Sequence, residues 1–353
     1  MPYIVDVQTA FPDYYYTQDE LITALKKIMG NNPAQNKLID RINENLFIKG
    51  RNTVLPLEQY FSVDSFDQKN SHFITNAVDL STKAVESVLL NNKLSPHQIK
   101  SLWSNTVTGF AIPSIEARLM NKISFSSNTK RVPILGLGCM AGIAGINRVA
   151  DYLKGHPQEA AIFFSVELCS LTIQTENINA ATIISNALFG DGAAAVLMVG
   201  DDHPLSKSAK LKWLASESVF FPETETVMGW DVGSKGLKVI LDKSVPQITK
   251  NLLPKPLENF LNRQSISLGE IKSLLAHPGG PKVLEALSDV LKEAPADLGH
   301  SWESLKQNGN MSSVSVLDII NRSIKESHRQ QEYALAIAMG PSFSAEFGLL
   351  QWQ

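Results

Sequence analysis

Cysteine is scarce in this chain, since its 353 residues include only Cys139 and Cys169. Two thiols do not build a disulfide framework, and so few cysteines are typical of a reducing compartment. Histidine and cysteine residues do not cluster either, which argues against a metal site. We therefore expect a cytoplasmic protein that holds no metal.

Long apolar runs and an excess of one charge are also missing. No run approaches the roughly 18 residues that a membrane-spanning helix requires, and the first residues lack the pattern of a signal peptide. A net charge of −3 gives no general attraction to nucleic acids or anionic membranes. With 44% hydrophobic and 19% charged residues, the composition is typical of a soluble globular enzyme with no nucleic-acid partner and no membrane span.

Short apolar strands alternate with helical patterns along the whole chain. The clearest unit is a strand at 132–137, a helix at 140–153 and a second strand at 160–166. Thr17 and Glu20 have the spacing of a capping box, which predicts a helix beginning after Thr17. Such alternation favours an α/β fold in which helices cover a largely parallel sheet.

The polar segment 201–210 is the best candidate for a domain boundary. Beyond it the alternation of strands and helices recurs, although the two parts show no repeat residue by residue. We therefore predict two similar βαβαβ-type halves, residues 1–205 and residues 206–353.

Cys139 follows the apolar run at 132–137 and precedes an apolar helix. The glycines Gly136 and Gly138 interrupt the chain between these two elements. A thiol at the amino end of a helix meets unpaired N–H groups and the positive end of the helix dipole, both of which favour a reactive thiolate. The alternative is a buried cysteine that acts as a small apolar residue.

Three further segments place polar or aromatic residues at turns. His277 follows an apolar strand, at a position where an imidazole could exchange protons with a ligand. Asn310 precedes a helix, where its amide could bind a carbonyl or enolate oxygen, or only cap the helix. Phe189 lies beside Asp191 in a glycine turn and is either a core residue or an aromatic wall over the thiol.

Five motifs together resemble one family. They are GLGCMAG around Cys139, LFGDGAAA around Phe189, AHPGGP around His277, GNMSS around Asn310 and GPSFSAE at 340–346. In order and spacing they are similar to the type III polyketide synthases, the chalcone and stilbene synthase group of the thiolase superfamily. The resemblance implies a thiolase-like αβαβα sandwich and a homodimer. It also implies acyl-CoA and malonyl-CoA as substrates, no other cofactor and no acyl carrier protein.

The resemblance also assigns roles to four residues. Cys139 would attack a starter acyl-CoA and hold the growing chain as a thioester. His277 would keep Cys139 ionised and, with Asn310, stabilise the enolate formed when malonyl-CoA loses CO₂. Phe189 would close the site and exclude water from the carboxylate.

The same resemblance points to binding residues and to a product. The substrate cavity would be lined by Thr108, Cys169, Thr172, Trp230, Val239 and Ser312, and CoA would be bound by Arg41, Gly279 and Gly280. Lys49 and Arg51 are nearby basic residues that could replace missing CoA ligands.

Val239 stands where the plant enzymes carry a gatekeeping phenylalanine, which predicts a wider entrance. We therefore expect a medium- or long-chain acyl starter and an alkylpyrone or alkylresorcinol product. A synthase that uses malonyl-CoA alone and makes a polyhydroxylated aromatic is the alternative.

Other classes of protein share parts of this pattern. A ketoacyl synthase that depends on a carrier protein has the same fold and triad. Its sequence motifs, however, differ from those that surround His277 and Asn310 in this chain. A papain-like protease has Cys, His and Asn in the same order, but Cys139 of this chain lacks the C-G-[SA]-C-[WY] motif that surrounds the cysteine in those enzymes. A non-catalytic scaffold subunit would have no reason to keep all three residues.

Overall fold

The computed structural model describes residues 1–175 and 178–353. Within these residues, no helix is both long enough and apolar enough to cross a membrane. The strands are β1 (Tyr3–Ala10), β2 (Tyr14–Thr17), β3 (Gly50–Thr53), β4 (Ile99–Asn105), β5 (Lys130–Ile134), β6 (Ala160–Leu168), β7 (Asp191–Val199), β8 (Leu211–Phe220), β9 (Met228–Gly233), β10 (Gly236–Leu241), β11 (Ile271–Ala276), β12 (Tyr333–Gly340) and β13 (Ser344–Trp352). The α-helices are α1 (Gln18–Ile28), α2 (Pro33–Asn43), α3 (Phe66–Asn91), α4 (Ile115–Leu119), α5 (Ala141–Gly155), α6 (Ala180–Leu188), α7 (Val245–Leu252), α8 (Pro254–Arg263), α9 (Pro281–Val290), α10 (Gly299–Asn308) and α11 (Ser313–Ser323).

The structure contains the local elements that the sequence predicted. The expected strand, helix and strand around Cys139 are confirmed as β5, α5 and β6. The capping box at the start of α1 is also confirmed, because the Thr17 hydroxyl accepts a bond from the Glu20 N–H and the Glu20 carboxylate accepts one from the Thr17 N–H. These features depend on neighbouring residues, so the sequence alone was sufficient to predict them.

Nine strands form one mixed sheet in the order β11-β12-β13-β8-β1-β7-β6-β4-β5. Only the pairs β11–β12, β6–β4 and β4–β5 are parallel, so the prediction of a largely parallel sheet was wrong. Part of the reason is the connection between β12 and β13, which consists of residues 341–343. Strands joined by so short a turn must run antiparallel.

The sheet contains the same pairing pattern twice. In the first half β4 and β6 are parallel, whereas β6–β7 and β7–β1 are antiparallel. In the second half β11 and β12 are parallel, whereas β12–β13 and β13–β8 are antiparallel. The halves join where β1 meets β8 through two residue pairs, Tyr3–Lys212 and Ile4–Leu211. The boundary between residues 205 and 206 stays a prediction, and a 3₁₀ turn at Pro204–Ser208 crosses it.

The layers of the fold follow from the alternation of side chains across the strands. On β6, Phe163 faces the core around α5 and α11, and Phe164 faces the core beneath α3. On β12, Ala336 faces the core around α5 and α11, and Leu335 faces the core beneath α8 and α9. Helices α5 and α11 therefore form a middle layer between the two halves of the sheet. This arrangement confirms the expected αβαβα sandwich.

Glycines allow the two helices of the middle layer to approach closely. A Cβ atom on Gly142 of α5 would lie 2.4 Å from the backbone oxygen of Ser313 at the start of α11. A Cβ atom on Gly145 would lie 2.2 Å from the ring of Phe163. The close approach brings the first turns of α5 and α11 side by side, and these turns adjoin Cys139 and Asn310.

We expect Gly142→Ala to destabilise the protein, because its methyl group would collide with backbone rather than with a flexible side chain. Alanine normally stabilises a helix relative to glycine, whereas overpacking costs about 1–3 kcal/mol. The control is Gly155→Ala at the end of the same helix, where the described residues place no atom within 4 Å of the new methyl group. Thermal unfolding of both variants measures the difference. Equal melting temperatures would contradict the close packing of α5 on α11.

Candidate active site

Cys139 lies in a 3₁₀ turn, Gly138–Met140, that leads directly into α5. Gly138 has a φ of +55°, and a Cβ atom there would lie 2.5 Å from Cδ of Pro341. Glycine is therefore required for both its backbone conformation and its small size. The turn places the Cys139 sulfur 3.6 Å from the hydroxyl oxygen of Ser312, at the start of α11.

Asn310 and Phe189 are fixed side by side by two backbone hydrogen bonds. The Asn310 N–H donates to the Leu188 carbonyl at 2.9 Å, and the Gly190 N–H donates to the Asn310 carbonyl at 3.0 Å. Asn310 is not the N-cap of α11, because Ser312 occupies that position, with a φ of +51°. A non-glycine residue with this backbone conformation is strained, and such strain is often found at functional sites.

His277 follows β11, and its backbone N–H donates to the Ile337 carbonyl of β12 at 2.8 Å. The turn after it meets the Asn310 segment, because the Asn310 amide donates to the Gly279 carbonyl at 3.2 Å. The His277 side chain is 2% exposed, and neither ring nitrogen has a hydrogen-bond partner among the described residues. Two buried nitrogens without partners are suited to binding a ligand.

Burial acts in opposite directions on the thiol and the imidazole. It raises the pKa of Cys139 to about 12, although the hydrogen bond with Ser312 lowers that pKa and the Glu167 charge raises it further. Burial lowers the pKa of His277 to about 3. Both shifts favour the neutral groups. The ion pair expected from the resemblance requires the imidazole to reach the sulfur, and it stays a prediction.

Glu167 is a buried carboxyl beside the site that the sequence reasoning missed. Its oxygens accept hydrogen bonds from the Ser313 hydroxyl at 2.6 Å, the Thr108 hydroxyl at 2.9 Å and the Val107 N–H at 3.1 Å. Burial raises its pKa to about 7, and these hydrogen bonds lower it. Glu167 thereby connects β6 to the first turn of α11. One signal could have revealed it, namely an acidic residue inside the otherwise apolar strand AAIFFSVEL.

Cys169, Thr172 and Phe189 line one cavity, and a role of Cys169 and Thr172 in binding substrate stays a prediction. The Thr172 hydroxyl donates to the Cys169 carbonyl at 2.7 Å, which fixes the turn between them. Burial raises the pKa of Cys169 well above its ordinary value, so this thiol is a poor nucleophile. Its expected role as a cavity wall without covalent chemistry is consistent with this environment. The opposite wall is apolar and comes mainly from Leu21, Ala24, Leu25 and Ile28 of α1.

Trp230 and Val239 lie opposite each other on the hairpin formed by β9 and β10. The Trp230 ring lies 6.4 Å from the Phe189 ring, measured between centroids. The hairpin therefore brings both residues to the Phe189 side of the site. A large indole thus stands opposite Val239, and the wider entrance expected from the loss of a phenylalanine stays a prediction.

The residues proposed to bind CoA fall in different places. Gly279 and Gly280 lie in the turn after His277, and Gly280, with a φ of +147°, precedes α9. Arg41 is exposed on α2, and its contact with CoA stays a prediction.

Arg51 was expected to be able to replace a missing CoA ligand, and this prediction was wrong. Its side chain is 5% exposed and its guanidinium donates to buried backbone carbonyls, so it does not reach a phosphate at the surface.

Comparison with known proteins identifies the family. Residues 3–216 match the family described as FAE1/type III polyketide synthase-like proteins, and residues 212–351 match the C-terminal domain of chalcone and stilbene synthases. The chain belongs to the type III polyketide synthases.

Individual members of the family are similar over their full length. The chain is 36% identical to 1,3,6,8-tetrahydroxynaphthalene synthase from Streptomyces peucetius subsp. caesius, covering 99% of this chain and 93% of that protein. It is 35% identical to a putative chalcone synthase from Bacillus subtilis, covering 100% and 99%. The crystal structure of 1,3,6,8-tetrahydroxynaphthalene synthase from Streptomyces coelicolor superposes with a TM-score of 0.92, at 28% identity and 99% coverage of both chains.

Type III polyketide synthases are condensing acyltransferases that decarboxylate one substrate, and this chain is an enzyme of that class. Its motifs around Cys139, His277 and Asn310 meet at the junction of α5, β11 and α11. The individual roles of these three residues stay predictions.

We expect Ser312→Ala to slow alkylation of Cys139 by iodoacetamide. The Ser312 hydroxyl lowers the pKa of the thiol, so its loss raises that pKa and leaves less thiolate at any pH below it. A shift of one pKa unit corresponds to an about 10-fold slower reaction. The rate rises with pH in both proteins, and the profile of the variant is displaced to higher pH.

Mass spectrometry of the labelled peptides measures the rate at Cys139 separately from that at Cys169. Cys139→Ser is the control that should remove the fast label. Superimposable profiles for wild type and Ser312→Ala would contradict a role of the Ser312 hydroxyl in activating the sulfur.

Proposed function

We propose that the chain transfers an acyl group from CoA to Cys139 and extends it by repeated decarboxylative condensation with malonyl-CoA. The observation that carries this proposal is the meeting of three segments around a buried histidine. Cys139 contacts the start of α11, Asn310 contacts the turn after β11, and the two ring nitrogens of His277 have no partner in the described part of the chain.

The loading step requires a nucleophile and a proton acceptor. The Cys139 sulfur attacks the thioester carbonyl of the starter, the bond from that carbon to the CoA sulfur breaks, and CoA leaves as its thiol. The proton of Cys139 passes to the leaving sulfur through His277. A neutral imidazole is able to make this transfer because one ring nitrogen accepts a proton while the other donates one.

In the extension step, the bond between C2 of malonyl-CoA and its carboxyl carbon breaks. The electron pair stays on C2, CO₂ leaves, and the resulting enolate has its negative charge on the thioester oxygen. His277 and the Asn310 amide would donate hydrogen bonds to this oxygen and stabilise its charge. C2 then attacks the thioester carbonyl on Cys139, forms the new carbon–carbon bond and releases the sulfur. The chain is longer by two carbons.

Phe189 would act on the departing carboxylate. An apolar ring at this position removes water from the carboxylate, which loses more by desolvation than neutral CO₂ does. Two backbone bonds hold the Phe189 segment against Asn310. The aromatic wall and the enolate donor would therefore act on the two ends of the same malonyl group.

For the product we propose a polyhydroxylated aromatic. Similar proteins named for such products include the tetrahydroxynaphthalene synthases, a phloroglucinol synthase from Pseudomonas fluorescens and 3,5-dihydroxyphenylacetyl-CoA synthases. The large indole of Trp230, which stands opposite Val239, also supports a compact product.

An alkylpyrone or alkylresorcinol made from an acyl starter is the second candidate. The apolar wall that α1 contributes to the cavity beside Cys169 favours it, because such a surface suits an alkyl chain.

We also propose that the enzyme is a cytoplasmic homodimer that uses CoA thioesters without an acyl carrier protein. Strand β5 supports the dimer, since it is the edge of the sheet and Leu135, the residue after it, is 57% exposed. An open strand edge beside apolar surface favours pairing with a second chain.

We expect Cys139→Ala and His277→Ala to separate loading from decarboxylation. Cys139→Ala removes the only proposed acyl acceptor, so no chain extension should remain, whereas CO₂ release from malonyl-CoA should continue. His277→Ala removes an enolate donor and should slow CO₂ release about 100- to 1,000-fold, as well as abolish extension.

Release of labelled CO₂ and mass spectrometry of the acylated protein measure the two activities. Both assays are run without carrier protein. An equal loss of CO₂ release in the two variants would contradict this division of roles, and an inactive wild-type protein would contradict the proposed reaction itself.

A panel of starters with malonyl-CoA should decide between the two products. We expect malonyl-CoA alone to give an aromatic product, and octanoyl- to palmitoyl-CoA to compete poorly as starters. Ala24→Phe fills the apolar part of the cavity and should remove any alkyl-chain product without affecting the aromatic product. Thr23→Phe is the matched control, since Thr23 is exposed on the same helix. Turnover of long acyl starters that exceeds turnover of malonyl-CoA alone would contradict the aromatic product.

A further inference from the structure

Arg51 of β3 is a buried cation that contacts the segment carrying Phe189. One guanidinium nitrogen, Nη1, donates to the backbone carbonyl of Phe189 and, at 3.2 Å, to that of Asn186. These carbonyls lie at the carboxyl end of α6, where the helix dipole is negative and a cation is favourable. The contact therefore fixes the end of α6 immediately before the chain enters β7.

The aliphatic part of Arg51 packs on the two glycines that flank the paired segments. A Cβ atom on Gly309 would lie 2.7 Å from Cδ of Arg51, and a Cβ atom on Gly190 would lie 3.4 Å from its Cβ. Gly190 follows Phe189 and Gly309 precedes Asn310. One side chain thus contacts the backbone of both segments where hydrogen bonds join them.

The charge of Arg51 is balanced by Asp191, the next residue after Gly190. Burial lowers the pKa of Arg51 to about 10, and the Asp191 carboxylate opposes this shift, so the guanidinium stays charged at neutral pH. The Asp191 carboxylate accepts hydrogen bonds from the Val54 N–H and the Ser170 N–H, each at 2.7 Å. A guanidinium and a carboxylate with fixed partners are suited to holding a rigid position.

We propose that Arg51 is a positioning residue of the condensation reaction, which holds the Phe189 and Asn310 segments in one arrangement through their backbones. This inference rests on the proposed function, since it assumes that Phe189 and Asn310 act on malonyl-CoA. The contacts of Arg51 described above are with the end of α6, Gly190 and Gly309, and none of these residues belongs to the Cys139 turn. Loss of Arg51 should therefore affect decarboxylation more than the reactivity of the thiol.

The expected size of the effect follows from geometry. Without the guanidinium, the carbonyls of Phe189 and Asn186 lose their donor, so the end of α6 is no longer fixed against the Asn310 segment. Displacing a catalytic group by an ångström can slow a reaction about 100-fold. The Asn310 amide makes its contribution only when the enolate forms, so kcat should fall while KM for malonyl-CoA is unchanged.

The test uses the full-length enzyme and two variants of Arg51. Arg51→Met keeps the volume of the stem but removes the cation, and Arg51→Lys keeps a cation whose side chain is one atom shorter than that of arginine, so its ammonium does not reach the position of Nη1. We expect kcat for CO₂ release to fall about 100-fold in Arg51→Met and about 10-fold in Arg51→Lys. The rate of Cys139 alkylation should match that of wild type in both, which a general loss of structure would not allow.

The matched control is Arg148→Met. Arg148 of α5 pairs with a buried carboxylate, that of Glu346 at 3.0 Å, and donates to the Ser218 hydroxyl at 2.7 Å, and neither partner belongs to the Phe189 or Asn310 segment. The decarboxylation rate of Arg148→Met should be close to that of the wild type.

Arg51→Met could be insoluble because the buried Asp191 carboxylate is left without a nearby cation. In that case the double variant Arg51→Met/Asp191→Asn removes the charge imbalance, and Arg51→Lys still gives a result.

The outcomes separate this inference from the proposed function. An inactive wild-type enzyme would refute the proposed function. An active wild type, together with a folded Arg51→Lys or Arg51→Met of unchanged kcat, would overturn the positioning role of Arg51 alone. A rise in KM with unchanged kcat would also overturn it, because that result would make Arg51 a substrate-binding residue.

Discussion

The close contact between α5 and α11 is the constraint on which the site depends. Gly142 lies directly against the backbone carbonyl of Ser313, so the first turns of the two helices lie side by side with no room for a side chain between them. Cys139 precedes one helix and Asn310 precedes the other. Because each helix belongs to a different half of the chain, neither half builds the site alone. The packing of α5 on α11 therefore brings residues from both halves of the chain together in a single site.

Around this contact, hydrogen bonds to the backbone of neighbouring segments position Asn310, Phe189 and His277. The Phe189 and Asn310 segments pair as a short β-bridge, and Asn310 binds the carbonyl of Gly279 in the turn that carries His277. The imidazole itself has no hydrogen-bond partner among the described residues. The backbone thus places His277 accurately while its polar atoms remain available for a ligand. Buried polar atoms are usually paired, so this exception is itself a sign of function.

Buried charged residues contact the turns that form the site. Glu167 accepts a hydrogen bond from the start of α11, and Arg51, stabilised by the nearby charge of Asp191, donates one to the Phe189 carbonyl. Each would be costly to bury without partners. Glu167 accepts bonds from the Val107 N–H and from the Ser313 and Thr108 hydroxyls, Arg51 donates to two backbone carbonyls, and Asp191 accepts bonds from two backbone N–H groups. Such networks specify one arrangement of the surrounding turns. They explain how turns rich in glycine can keep a catalytic geometry.

The sequence by itself determined the local features of this protein. It predicted the α5 unit, the capping box of α1, the candidate residues and the family, because these depend on neighbouring residues or on short motifs. Only the tertiary structure decided the mixed direction of the strands, the inward position of Arg51 and the role of Glu167 as a hydrogen-bond centre. These depend on contacts between residues far apart in the chain, such as Glu167 with Ser313, and no local pattern encodes which distant partner a buried charge will meet.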